Sequence, residues 1–293
     1  SIEAAIKASG VGVEQSLAAF KWGRMAVIDR AFVLAEIAKY APKIEKPQLS
    51  PVAKAIVDSV GAQGETLRLL EVRVPELIEY QDQAYAKRYA EVIKRVQAAE
   101  AKAVPGKTAL TEAAARFLYK LMAYKDEYEV ARLHSDPAFK AQLDAMFPNG
   151  YSVKYNLAPP AISKRDPVTG HLVKQQFGPW MKSAFAWLKG LKGLRGGALD
   201  VFGKTEERHM ERQLIEDYIR ELDAICARLT PENHAAAVAL ARVPDEIRGY
   251  GHVKEKSVED AKVLRAQRLA AFENPSAAKA VTRTGTAKAP AKV

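Results

Sequence analysis

Few residues in this sequence combine the types and spacing that catalysis demands. Cys226 is the only cysteine. It can form no internal disulfide, and a cysteine-ligated iron–sulfur cluster takes about four thiolates. Its setting, Ile225-Cys226-Ala227 inside a helical pattern, points to a buried apolar thiol rather than a nucleophile. The five histidines, His134, His171, His209, His234 and His252, show none of the paired spacing of a metal site. No glycine loop leads into lysine and serine or threonine to cradle phosphate, and no dinucleotide fingerprint joins a strand to a helix. No catalytic and no metal-binding residue is assigned.

Two basic, glycine-bearing runs stand above this background. Lys189, Lys192 and Arg195 lead into Gly196-Gly197, and the other run is Arg248-Gly249-Tyr250-Gly251-His252-Val253-Lys254. Glycine lets a ligand or another chain come close to backbone, and arginine grips carboxylate or phosphate in a bidentate fork. Arg195, Arg248, His252 and Lys254 are therefore the candidate ligand-binding or interface residues. The competing explanation is that the arginines pin their own loops by binding backbone carbonyls. Spacing alone leaves both open.

The elements that must position these runs are mostly helices. From Ser1 to Tyr40 the pattern is helical with a break at Gly10-Val11-Gly12. Val13, Leu17, Phe20, Met25, Ile28 and Phe32 then predict one buried face. Residues 41–50 hold Pro42 and Pro47 and read as a linker between a first region, 1–40, and a helical domain, 51–273. Within that domain an interruption is expected at Pro75. Two long helices, the second from about Thr108 to His134, flank Pro105-Gly106 and predict an antiparallel hairpin. Such a tyrosine-rich hairpin suits an arm that packs on another body, or one whose stripe meets its own domain.

Asp136-Pro137 predicts the start of a short helix. Residues 151–157 alternate with period two, His171 to Phe177 offers a partner strand, and Asp166-Pro167-Val168-Thr169-Gly170 is a strong turn. Gly178-Pro179 opens a helix with Trp180, Phe185 and Trp187. Further helices are expected from Thr205 to Leu229, from the cap Thr230-Pro231, and from Ser257 as N-cap with Asp260. The expected fold is mainly α: a helical domain with a long helical hairpin and a small β-hairpin insertion.

Composition narrows the function classes. The formal charge is +10 over 293 residues, but Lys279, Arg283, Lys288 and Lys292 contribute four of those charges. They lie in 274–293, an Ala/Lys/Thr/Pro stretch without apolar periodicity that reads as a disordered basic tail. Elsewhere both signs interleave, as in Glu206-Glu207-Arg208, so nucleic acid is not the expected partner. No run approaches the roughly 20 apolar residues of a membrane span, and the amphipathic start lacks a signal peptide's apolar core. A cytoplasmic location is expected.

Several runs together resemble a known family. Tyr128-Glu129-Val130-Ala131-Arg132-Leu133-His134, Asn156-Leu157-Ala158-Pro159-Pro160 and Phe177-Gly178-Pro179-Trp180 are similar to the C-terminal region of indolepyruvate ferredoxin oxidoreductases. So are Leu191-Lys192-Gly193-Leu194-Arg195-Gly196 and Ile247-Arg248-Gly249-Tyr250-Gly251-His252-Val253-Lys254. Gly10-Val11-Gly12-Val13-Glu14 with Ala19-Phe20-Lys21-Trp22-Gly23-Arg24 resembles the last helices of that family's gamma-type domain, with Ser9 where the family usually has asparagine. The resemblance implies a part of an enzyme that oxidatively decarboxylates aryl pyruvates to aryl-acetyl-coenzyme A and passes electrons to ferredoxin. It implies thiamine diphosphate and iron–sulfur clusters elsewhere in an oligomeric complex, none in this chain, and the catalytic part of the same enzyme as partner. The resemblance assigns this C-terminal region no catalytic role. The alternatives are a basic helical interaction scaffold or a nucleic-acid-binding protein.

Overall fold

The computed structural model describes residues 1–40, 48–157, 163 and 173–274. The chain divides into two compact units, Ser1–Gln48 and Leu49–Val293. Residues 41–47 of the expected linker lie outside the described residues, as do the 166–170 turn and the tail from residue 275.

The first unit contains α1 (Ile2–Ser9), α2 (Val13–Ile28) and α3 (Arg30–Tyr40). Gly10 and Gly12 both take left-handed φ, 67° and 55°, which makes the break between α1 and α2. A carboxylate oxygen of Asp29 accepts from the Phe32 amide at 2.9 Å and starts α3. The apolar stripe of α2 is not buried as its periodicity predicts. Val13, Leu17, Phe20 and Met25 are half-buried, Ile28 is 79% exposed and Phe32 46%. Val33 alone among the unit's described residues is buried, because three short helices cannot enclose a core by themselves.

The second unit opens with α4 (Pro51–Asp58), where the Ser50 hydroxyl caps the Ala53 amide and Pro51 takes the first turn. It continues through α5 (Gly64–Tyr80), α6 (Gln83–Ala103), α7 (Ala109–Met122), α8 (Glu127–His134) and α9 (Pro137–Met146). Strands β1 (Tyr155–Leu157) and β2 (Gln175–Phe177) pair antiparallel, with Tyr155 opposite Phe177. Then come α10 (Met181–Gly190), α11 (Glu206–Ala227), α12 (His234–Ala241) and α13 (His252–Glu273). The fold is thus mainly α with one small antiparallel ribbon.

The α6–α7 hairpin is the centre of this unit and not an arm. Helix α7 packs on α5, α6, α11 and α12 at once. Leu70, Leu77, Tyr89, Ile93, Leu118 and Leu222 are almost wholly excluded from solvent, each contributing about 1.5–3 kcal/mol by leaving water. This packing explains why α5 runs unbroken through Pro75, where an interruption was expected. Val74 and Leu77 on either side are fully buried, and their burial outweighs the roughly 3 kcal/mol that an interior proline costs.

Three helix boundaries differ from the sequence pattern. The helix expected from Thr108 to His134 breaks after Met122, because Asp126 starts α8 by accepting from the Glu129 amide at 2.8 Å. Thr230 and Asn233 satisfy each other in a turn, so α12 begins at His234 and not at Pro231. Ser257 lies inside α13, not at its N-cap. Its hydroxyl accepts from the Arg248 amide at 3.0 Å and reaches the carbonyls of Arg248 and Lys254.

A second, smaller cluster is built from α8, α10 and the ribbon. Ala131, Tyr155 and Phe185 form its buried centre. The His134 ring stacks on Phe185 at 5.2 Å and meets Tyr155 edge-on at 5.2 Å. Burial lowers the His134 pKa, so the ring behaves as a neutral aromatic packing group.

Candidate functional site

The loop after α10 carries the first basic run, and the structure fastens it to the bundle. Lys192 donates to the carbonyls of Glu79 at 2.7 Å and Ile78 at 3.2 Å. A cation there satisfies open carbonyls near the end of α5 and complements its dipole. Arg195 grips Asp126 with both sides of its fork, at 2.5 and 2.9 Å, and its third nitrogen donates to the Tyr80 carbonyl. The guanidinium lies 3.8 Å from the Tyr80 ring centre. Arg195 and Asp126 are both buried. Burial disfavours the Arg195 charge, yet the Asp126 hydrogen bond and nearby charges more than compensate, and its pKa is raised.

Asp200 closes the same loop. One of its oxygens accepts from the Gly196 amide at 2.7 Å and the other from the Gly203 amide at 2.9 Å. The Tyr128 hydroxyl donates to it at 3.2 Å. Burial pushes the Asp200 pKa up, and the Gly196 and Gly203 amides outweigh it, so the carboxyl is held below its ordinary range. A side chain on Gly203 would overlap this carboxylate, which is why a glycine stands there.

The second basic run is fastened from α11. Glu207 accepts from the Gly251 amide at 3.0 Å, and Lys254 pairs with the buried Glu211. Glu211 also takes Arg208 at 2.5 Å, and Arg208 reaches Glu127 at 3.5 Å. Lys120 on α7 donates to the carbonyls of Pro244 and Asp245, both at 2.8 Å, and holds the turn before this run. Arg248 differs from the others. Its side chain is 68% exposed and, among the described residues, reaches only the carbonyl and carboxylate of Asp245, at 3.0 and 3.8 Å. The side chain of His252 lies outside the described residues.

The candidates therefore do not converge on a pocket. Arg195 and Lys254 serve separate fastenings, and Arg248 faces solvent. A third fastening was invisible in the sequence. Glu100 on α6 is buried; its carboxylate accepts from the Leu110 and Thr111 amides at 2.8 Å and from the Thr111 hydroxyl at 2.6 Å. His234 of α12 stands 2.7 Å from the same carboxylate. The carboxylate thus caps α7 across the Pro105-Gly106 turn and ties α12 to the hairpin. Burial works to raise its pKa, but the His234, Thr111 and backbone hydrogen bonds prevail and lower it.

The cavities add little chemistry. A ≈ 560 Å³ open groove between α4 and α6 is lined by Val52, Ala55, Ile56 and Ala90, with Lys87 and Glu91 at its edge. A ≈ 70 Å³ apolar cleft between α11 and α13 has the Glu221–Arg265 pair, 2.5 Å apart, on its wall. Cys226 is half-buried, and burial pushes its thiol up to about 11, so thiolate chemistry is disfavoured. Among the described residues no cluster of three His, Cys, Asp or Glu has the geometry to hold a metal ion. No helix there is long and apolar enough to cross a membrane.

Residues 66–267 match the model of a family of unknown function, DUF6537. The match lies wholly inside the second unit. No curated protein and no solved structure matches the chain.

Proposed function

The chain belongs to the DUF6537 family, and we propose that it is an accessory and assembly part of an indolepyruvate ferredoxin oxidoreductase-like enzyme. That enzyme would convert aryl pyruvates to aryl-acetyl-coenzyme A with ferredoxin as acceptor. Thiamine diphosphate and iron–sulfur clusters would be held by its catalytic part, which is this chain's partner.

One observation carries the accessory role. Three of the runs that resemble the enzyme family, 128–134, 191–196 and 247–254, help to fasten this fold. Tyr128 and Gly196 meet at Asp200, Arg195 grips Asp126, and Gly251 and Lys254 are held by Glu207 and Glu211. Such residues preserve a shape to be presented to another body; none of them is aimed at a shared reaction centre. The half-open helices of the first unit support the same reading, since their apolar faces find no cover among the unit's described residues.

The test is reconstitution. The chain alone should give no indolepyruvate-dependent viologen reduction, and it should co-elute with the separately purified catalytic part and raise its coenzyme A-dependent turnover. A catalytic part that neither binds the chain nor gains activity from it overturns the reading.

A further inference from the structure

Helix α10 leaves an unusual side to solvent. Phe185 is 2% exposed and points into the small cluster, with Met181 and Leu188 against it. Trp180 and Trp187, two turns apart and so on one flank, are 62% and 70% exposed. Lys182 and Lys189, also two turns apart, form the opposite flank. Lys182 is exposed and Lys189 half-buried; neither makes an ion pair among the described residues, although the Lys182 charge is near enough to Asp144 to help lower its pKa. The solvent side between the two rows carries only Ser183, Ala186 and Gly190, and the space over Gly190 is open.

The surroundings set the sign of any partner. Among the described residues of 137–199 the single acid is Asp144, and it already pairs with Lys140. Trp180 meets Phe177 edge-on at 6.0 Å, yet it and Trp187 keep most of their surface in water, and indoles are favoured anchors at interfaces. Lysines that make no ion pair of their own, in a stretch whose single described acid is already paired, suit carboxylates from outside.

We propose that this face of α10 docks an acidic amphipathic helix of a partner protein. Apolar side chains of that helix would lie on Trp180 and Trp187, and its carboxylates would meet Lys182 and Lys189. This interaction stands apart from the enzyme reading above.

The experiment uses the full chain carrying Trp22→Phe, so that only Trp180 and Trp187 report. A synthetic amphipathic helix with glutamates two turns apart is titrated at about 150 mM salt, where weak long-range attraction is screened. Binding should shift tryptophan emission to the blue and shield it from iodide. Lys182→Glu with Lys189→Glu should weaken the labelled peptide by at least about tenfold, and Trp180→Ala with Trp187→Ala by a similar factor, while thermal melts stay unchanged. No emission shift, or variants that bind as tightly as the parent, overturns the proposal. If polyuridylate RNA binds more tightly than the peptide and loses binding in the same variants, the partner is nucleic acid and the proposal also falls. The catalytic part is tested separately. Its failure to bind the chain would count against the enzyme reading alone, whereas peptide failure counts against this one.

Discussion

Replacing Arg195 by alanine should destabilise the isolated chain strongly, even though its sequence setting suits a ligand grip. The substitution leaves Asp126 buried with its charge uncompensated, and it removes the donor to the Tyr80 carbonyl. Removing one partner of a buried pair costs about 3–5 kcal/mol. Loss of the stacking on Tyr80 falls within that range, because both interactions vanish together. For a chain of this size each kcal/mol lowers Tm by about 2–4 °C, so a drop on the order of 10 °C is expected.

The assay is a thermal or urea melt of the isolated chain, with limited proteolysis of the 191–204 loop as a local readout. Asp126→Asn separates the two duties of the aspartate. Asparagine still caps the Glu129 amide but no longer compensates the guanidinium, so most of the loss should remain. A double variant, Arg195→Ala with Asp126→Ala, should lose clearly less than the sum of the single losses. An Arg195→Ala chain that melts like the parent would refute the clasp and return Arg195 to the candidate ligand residues.

Glu100→Gln should cost about 1.5–3 kcal/mol at pH 7, since an ionised acceptor of two amides and a hydroxyl becomes neutral. Its native pKa lies below the ordinary value near 4.5, so the contribution is complete above that pH and is lost as pH falls through the depressed value. Melts of parent and variant should therefore converge in acid; a gap that persists unchanged at low pH would contradict the role. Gly203→Ala should loosen the 196–203 loop, read as faster proteolysis there, because the new methyl displaces the Asp200 carboxylate from its amides. Arg248→Ala should leave the melt within about 0.5 kcal/mol of the parent, as expected for an exposed side chain. Ser257→Ala should cost about 1 kcal/mol by freeing the Arg248 amide, and equal melts for these two variants would count against the loop account.

The mainly helical fold was legible because its cues are local. The apolar stripes of the second unit, Pro105-Gly106 and Asp136-Pro137 act through a few neighbouring residues, and the structure uses each of them, although the stripe of α2 stays largely exposed. Where tertiary packing competes with a local cue, the cue loses. Pro75 sits in an unbroken helix because Val74 and Leu77 are buried, and Ser257 is taken from capping to hold Arg248. The fastenings were illegible for a related reason. Asp126 and Arg195 are 69 residues apart, and Glu100 and His234 are 134 apart, so no window of sequence contains both members of a pair.

That separation also explains why basic residues beside glycines misdirect. Glycine turns expose backbone groups, and the nearest cations are recruited by carboxylates and carbonyls that the fold brings in from elsewhere. Lys192, Arg195 and Lys254 are all engaged in this way, whereas Lys189, which leads into the same run as Lys192, and Lys182 make no ion pair among the described residues. A cation without an ion pair of its own is therefore the better guide to an external partner than a cation fastened inside the fold. Its distinguishing property is a missing internal counterpart, which only the assembled structure displays. On that criterion the indole and ammonium rows of α10 rank above the fastened loops: Trp180 meets Phe177 edge-on yet stays 62% exposed, and Trp187 on the same flank is 70% exposed while Phe185 is buried inward.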